Sequence, residues 1–496
     1  MADGASRIRR NILANIVRGA SAGLLAVILP AVLVRELPRE AYSAWALVLQ
    51  IAAYIAMLDL GLQVGIGRFV AREPARRDEF FNVGLALLGV CAAVGMVAAG
   101  LLAFLLPHLF PSVPAPLVAP ARVAILAVGA SSALSLLGSA VAAVFIGMER
   151  FEVPAAVLCV GRVIQIGAAW WAAAETHQVA TVALAYAAGS VATQAMYVLA
   201  ALKLNPRPAI RWRQLSREAL ATLAKYCGNL SVWNFSMLLV AGLDTAVVAE
   251  VDFRSLAAYS VCANLITVFV GLVGTALSVY VSRASALEGQ GRYREIGNLL
   301  LAVSSTCTIL LLAVALCGAA LGASFLRLWV GPSLAVQALP ILWVLIGANG
   351  LRLVVAPYAA LLMGTGEQRW ATRTALAEGT CNLAASIFLG LSLGAIGVAY
   401  GTLVGSFVGL VLVLVFTFPR AKRIQCGRGE FMTTAIVYPL LAFLPMAAGV
   451  GSYLANGGIA SSLLMAVGIA VTALVLIRNQ LGLFGFISRR LGETTP

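Results

Sequence analysis

The sequence predicts an all-α polytopic membrane protein of about fourteen transmembrane helices, built as two parallel six-helix repeats followed by two more C-terminal helices. Three observations predict it. The chain is 61% hydrophobic and only 11% charged over 496 residues, against roughly 25% charge in soluble chains. Its apolar residues fall in runs long enough to cross a bilayer, which needs ~20 helical residues. The pattern of polar residues also recurs about 217 positions along the chain.

The runs place spans near 11–34, 42–66, 81–106, 122–147, 153–172, 179–202, 229–250, 256–282, 298–325, 338–363, 372–391, 394–418, 431–453 and 459–477. Lys and Arg total 34, and they alternate with the spans. One set of loops carries 26 and the other five, leaving Arg18, Arg162 and Arg352 inside spans. Positive residues stay on the cytoplasmic side, so both termini are expected in the cytoplasm of a bacterial inner-membrane protein. The net charge of +14 is thereby explained without nucleic acid. The basic N-terminus, with Arg7, Arg9 and Arg10, leads into a long apolar run without a small-residue cleavage site, which reads as an uncleaved span.

Eight cysteines form no CxxC and lie mostly in or beside apolar runs. They read as small buried residues, with no metal site or cofactor expected.

The repeat is read from pairs at a common offset. Ala41-Tyr42-Ser43 matches Ala258-Tyr259-Ser260, Asp78 and Asn82 match Glu295 and Asn298, and Gly147 with Arg150-Phe151 matches Gly364 with Arg369-Trp370. Four segments follow: a six-helix bundle over 1–202, a cytoplasmic linker over 203–228, a second six-helix bundle over 229–418, and two extra helices with a cytoplasmic tail over 419–496. An even number of spans per repeat keeps both copies in one orientation, a pattern found in transporters. In the linker, Leu215, Ala219, Leu220, Leu223 and Tyr226 share a face, which predicts a short helix lying on anionic headgroups.

Charges inside a span cost about 2.5–3.5 kcal/mol each on insertion scales, which marks them as functional candidates. Arg352 lies about twelve residues from the end of the tenth span, roughly 18 Å deep at 1.5 Å per residue. That is too deep for it to reach water along lipid. Gly347-Ala348-Asn349-Gly350 precede it and are expected to loosen the helix. Arg18 shares a polar stripe with Asn11 and Asn15. Arg162 and Gln165 in the fifth span align with Glu378 and Asn382 in the eleventh. Arg352, Arg18, Arg162, Asn15, Gln165, Asn349 and Asn382 are therefore the candidate substrate-binding residues. Asp59, Asp244 and Glu378 are candidates for ion coupling or gating, with an Arg162–Glu378 pair as one arrangement. For the two aspartates, a structural ion pair or helix-terminal contact is the competing expectation. His108 and His177 fall in loops on the far side, which leaves no histidine relay within the spans.

Residues Tyr42 to Arg68, above all Leu58-Asp59-Leu60-Gly61-Leu62, resemble a signature of bacterial polysaccharide and O-antigen flippases. Leu243-Asp244-Thr245 and Gly397-Val398-Ala399 with Gly401-Thr402 add to the likeness. That family belongs to the multidrug, oligosaccharidyl-lipid and polysaccharide exporter (MOP) superfamily. The resemblance implies a V-shaped pair of six-helix bundles that moves an undecaprenyl-pyrophosphate-linked sugar repeat unit to the periplasmic leaflet. It further implies coupling to a proton or sodium gradient, and work beside polysaccharide-assembly enzymes. The rivals are a multidrug exporter and a lipid-linked peptidoglycan precursor flippase of the same superfamily. A membrane glycosyltransferase or polymerase is disfavoured, because it would need a catalytic acid or base in a sizeable loop and the loops here are short; no GxxxxGK[ST] occurs, which leaves direct ATP hydrolysis unsupported. The chain is read as a transporter and not as an enzyme.

Overall fold

The computed structural model describes Gly19, Gly23, residues 25–203, Ile210, residues 215–456, and the short stretches 463–465, 467–469 and 471–472. Every regular element among the described residues is helical. The first is residues 25–36 (α1). It is followed by α2 (Arg39–Ala56), α3 (Leu62–Arg72), α4 (Arg77–Leu109), α5 (Ala115–Gly147), α6 (Glu152–Thr176), α7 (Val179–Leu202), α8 (Arg217–Ala241), α9 (Asp244–Val251) and α10 (Leu256–Gly289). Then come α11 (Tyr293–Val330), α12 (Pro332–Gly364), α13 (Gln368–Leu393), α14 (Ala395–Leu412), α15 (Arg428–Phe431) and α16 (Tyr438–Asn456). Two π-helical turns flank α15: Val413–Thr417 precedes the connection to α15, and Met432–Val437 follows α15 directly.

Eleven helices among the described residues are long and apolar enough to cross a membrane. The shortest, Ala395–Thr417, has 23 residues, about 34 Å at 1.5 Å per residue, against a hydrocarbon core of about 30 Å. The first and last expected spans lie partly outside the described residues, and the seventh is interrupted. The C-terminal part of the linker is helical. Residues 217–226 are the opening turns of α8, which runs unbroken to Ala241. Ser216 caps it, its hydroxyl accepting from the Ala219 amide at 3.1 Å. Ala219 and Leu223 are fully buried because the apolar face packs on α3: a Cβ at Gly65 would lie 3.0–3.4 Å from Leu223, Tyr226 and Cys227. The neighbouring helix covers Ala219 and Leu223, while Leu215 and Leu220 on the predicted face stay 47% and 42% exposed.

Helix ends repeat at a fixed interval. α5 and α12 are both 33 residues long, and their first and last residues, 115 and 332, 147 and 364, stand 217 apart. α6 and α13 end at Thr176 and Leu393, again 217 apart. The corners agree as well. Glu149 and Gly366 are both left-handed (φ 59° and 75°), as are His177 and Gly394 (φ 53° and 65°), each pair at the same interval.

The chain divides into two compact units. One contains residues up to Val268 with Leu383–Gly401, the other Phe269–Asn382 with the residues from Thr402 onward. In the first unit α5 is central, packed on α2, α3, α4 and α7. Its buried face is rich in Ala and Gly, with Ala124, Ala133, Ala140 and Ala143 fully buried. Lipid is as apolar as leucine, so helices associate through close van der Waals approach, which small residues permit. In the second unit α11 packs on α12 and α16. Tyr358 stacks on Phe418 at 4.4 Å, and Phe418 meets Phe431 at 5.0 Å. Large apolar side chains point outward from the spanning helices, among them Phe104, Trp171 and Phe388, each at least 67% exposed, as a bilayer-facing surface requires.

In the loop between the π-turns, Cys426 is half-buried. Burial, with Glu430 adding repulsion, pushes its thiol up to about 11, so it remains a protonated, unreactive thiol at neutral pH.

Candidate functional site

α12 and α13 form a hairpin whose corner is Thr365–Glu367. Residues equidistant from a hairpin corner meet at one depth, and Arg352 and Glu378 stand thirteen positions either side of Thr365. Arg352 Nε donates to Glu378 Oε1 at 2.7 Å, with the side chains 15% and 13% exposed. Arg352 Nη1 donates to Asn349 Oδ1 at 3.3 Å. Asn349 in turn donates through Nδ2 to the Leu345 carbonyl at 2.9 Å, fixing its oxygen toward the guanidinium. Three of the candidate residues thus form one hydrogen-bonded group, deep in a spanning hairpin. The segment Gly347–Gly350 does not loosen the helix: α12 stays helical from Pro332 to Gly364, its amide ladder intact across the glycines.

Glu378 and Asn382 occupy a column on α13 opposite glycines of α14. A Cβ at Gly409 would lie 2.4 Å from Glu378 Oε2, and one at Gly405 would lie 2.6 Å from Asn382 Cβ. Further along, a Cβ at Gly401 would lie 2.4 Å from Ser386 Cα. Glycine every fourth residue on α14 leaves room for polar side chains on α13. The first repeat carries the same construction between α6 and α7: a Cβ at Gly189 would sit 3.0–3.2 Å from Gln165. Gln165 and Asn382, 217 residues apart, are thus both amides seated on a glycine of the next helix. The positions around Glu378 are exchanged, however. Its counterpart is Gly161, whose missing side chain makes room for Thr193. Arg162, half-buried, lies one residue further along α6 and acts electrostatically on Tyr186. The carboxylate therefore belongs to the second repeat alone.

Asp59 and Asp244 stand at breaks in spans. After Asp59, Leu60 and Gly61 are both left-handed (φ 50° and 78°), which ends one helix and starts α3. A leucine in this region costs roughly 1–2 kcal/mol. Asp59 Oδ1 accepts from the Gln63 amide at 3.3 Å and the Ser139 hydroxyl at 3.4 Å, so it caps the new helix with a favourable dipole. Side chains of α8 reach the carbonyls at the break: the Ser231 hydroxyl lies 3.3 Å from the Leu60 oxygen, and the Cys227 thiol lies 3.7 Å from that of Gly61, which also accepts the Gly65 amide at 3.0 Å.

The seventh span breaks at Gly242-Leu243, and Asp244 opens α9, 6% exposed, with Ser386 Oγ 3.5 Å from its Oδ1. The Gly242 carbonyl accepts from Gln50 Nε2 at 2.8 Å and Tyr54 Oη at 2.5 Å. Both donors come from α2, and nothing in the sequence pattern points to them as partners of residue 242. Removing both, as Gln50→Leu with Tyr54→Phe, leaves that carbonyl without its side-chain donors. The expected loss is about 1–3 kcal/mol, read as a lowered Tm in detergent. An unchanged Tm would show that the carbonyl needs neither donor.

Arg18 and Asn15 lie outside the described residues. The remaining candidates are distributed: Arg352, Asn349, Glu378 and Asn382 share the α12–α14 region of the second unit, and Asp59, Asp244, Arg162 and Gln165 belong to the first.

No family model matches this chain, and no curated protein matches its sequence. Solved structures do match. One is the lipid II flippase MurJ in an inward closed conformation, 12% identical, with a TM-score of 0.72 over 96% of this chain and 99% of that one. Another is an inward-facing multidrug resistance MATE family transporter of the MOP superfamily, 16% identical, with a TM-score of 0.68 over 82% of this chain and 97% of that one. A third is a MOP superfamily transporter from Pyrococcus furiosus, 18% identical, with a TM-score of 0.57 over 82% and 94%. At these identities the likeness is one of architecture, and the chain has the fold seen in transporters and flippases of the MOP superfamily.

Proposed function

We propose that this chain is a flippase that carries an undecaprenyl-pyrophosphate-linked oligosaccharide repeat unit from the cytoplasmic to the periplasmic leaflet of a bacterial inner membrane. In this reading both termini are cytoplasmic, 1–202 and 229–418 are the two bundles, and transport is coupled to a proton or sodium gradient. The observation that carries it is Arg352, a guanidinium held roughly 18 Å into a spanning hairpin at 1.5 Å per residue by Glu378 and Asn349. A pyrophosphate headgroup must cross a low-dielectric slab. Guanidinium keeps its charge there and binds phosphate bidentately. The lipid tail stays in the bilayer while the headgroup follows the polar residues, and rocking of the bundles exposes them to each side in turn. No bond is made or broken.

The fold is shared with multidrug transporters, and Glu378 places an acid where a cationic drug would need one, so that reading is the second. Proteoliposomes separate them. With a defined lipid-linked oligosaccharide, the wild-type protein moves sugar into the opposite leaflet without altering its chemistry, and Arg352→Ala slows this at least about tenfold, the weight of one charge-assisted contact. Movement of a cationic amphiphile in place of the sugar lipid would establish the drug exporter, and a changed sugar would establish an enzyme.

A further inference from the structure

α13 begins with its charges reversed. The positive pole of a helix dipole favours acids in the first turn and disfavours cations. α6 obeys this with Glu152, which pairs with Arg150 at 3.6 Å. The residue 217 positions after Glu152 is Arg369, and the first turn of α13 carries no acid. Arg373 lies one turn further on the same face, and both arginines are exposed. Their guanidinium carbons lie over the Trp370 ring at 5.0 and 5.1 Å from its centroid, which holds both flexible side chains in one place. The nearest acid is engaged elsewhere: Glu367 accepts the main-chain amides of Lys422 and Arg423 through its two oxygens, each at 3.1 Å. Neither Arg369 nor Arg373 is ion-paired with a described acid. Leu376, 41% exposed, continues the same face toward the middle of the span.

Two guanidiniums and a helix N-terminus, gathered on an aromatic platform at a membrane boundary with an apolar step beside them, need an anion that carries a hydrocarbon chain. We infer that Arg369, Trp370 and Arg373 form a docking site for the diphosphate of a prenyl lipid, which loads there before it reaches Arg352. A diphosphate suits the site better than a phosphodiester, because its two phosphates match two cations. This inference rests on the flippase reading for its place in the cycle, but not for the binding itself.

The test uses the full chain in phosphatidylcholine nanodiscs with undecaprenyl pyrophosphate, undecaprenyl phosphate and phosphatidylglycerol as probes, read by native mass spectrometry. The wild-type protein is expected to prefer the pyrophosphate over either single-phosphate competitor by about tenfold, and Arg369→Gln/Arg373→Gln to lose most of that preference. Arg369→Lys/Arg373→Lys keeps the charge and retains most of the binding, which separates loss of the site from loss of the fold. Equal affinity for phosphatidylglycerol would make this a general anionic-lipid contact and overturn the inference. So would a glutamine pair that binds like wild type. If the wild-type protein binds pyrophosphate here and yet moves no lipid-linked sugar, the flippase reading fails and the site stands.

Discussion

Glu378→Ala is expected to destabilise the protein by about 3–5 kcal/mol, because it leaves the Arg352 guanidinium deep in a span without its carboxylate. The readout is the Tm of the purified protein together with its recovery as a monodisperse peak. Removing both charges, as Arg352→Gln/Glu378→Gln, is expected to cost much less, because no uncompensated ion remains and a neutral hydrogen-bonded pair spans the same gap. The exchange Arg352→Glu/Glu378→Arg separates stability from function. It preserves the ion pair and much of the Tm, yet it moves the cation to the neighbouring helix. If Arg352 acts on the headgroup, transport falls while the fold persists. A single alanine at 378 with wild-type Tm would mean that water already solvates the guanidinium and that the pair carries little weight.

The second large effect is expected at the α13–α14 contact. Gly405→Val places a Cβ 2.6 Å from Asn382 Cβ and 2.9 Å from its Cα, and Gly401→Val places one 2.4 Å from Ser386 Cα. The atoms in the way belong to or adjoin the backbone of α13, so no rotamer change relieves them and the helices must part. Overpacking a well-filled contact costs about 1–3 kcal/mol, and both variants are expected at or above the top of that range, seen as aggregation on size-exclusion chromatography. Gly350→Ala is the control. No atom lies within 4 Å of its Cβ, and alanine raises helix propensity by up to about 1 kcal/mol, so that variant should be at least as stable as wild type. If valine at 401 and 405 is tolerated, the glycines are not there for close approach.

How much of this was legible beforehand differs by feature. Span positions were readable because lipid accepts only long apolar runs. Val179–Leu202 falls where the hydropathy put it, and the 217-residue interval reappears at the ends of α5 and α12. The break in the second span was not legible, and Leu58 to Leu62 stood out only as a resemblance. Its cause, two consecutive left-handed residues, was not, because leucine carries no warning of positive φ. For Glu378 the offset arithmetic pointed to Arg162. The partner seen within its unit, Arg352, was readable by another rule, equal distance from the corner at Thr365. The contacts of Gln50 and Tyr54 with Gly242 were illegible, since they join residues 192 and 188 positions apart and depend on tertiary packing alone.

The interruption at Gly242 also bears on mechanics. An unbroken rod of helix passes a twist at one end straight to the other. Here the rod is cut, and the loose peptide oxygen at the cut is anchored sideways to α2 and not along its own axis. α8 and α9 therefore meet at a knee braced from the side by α2, so the eight-residue arm takes its position from α2 as well as from the longer arm.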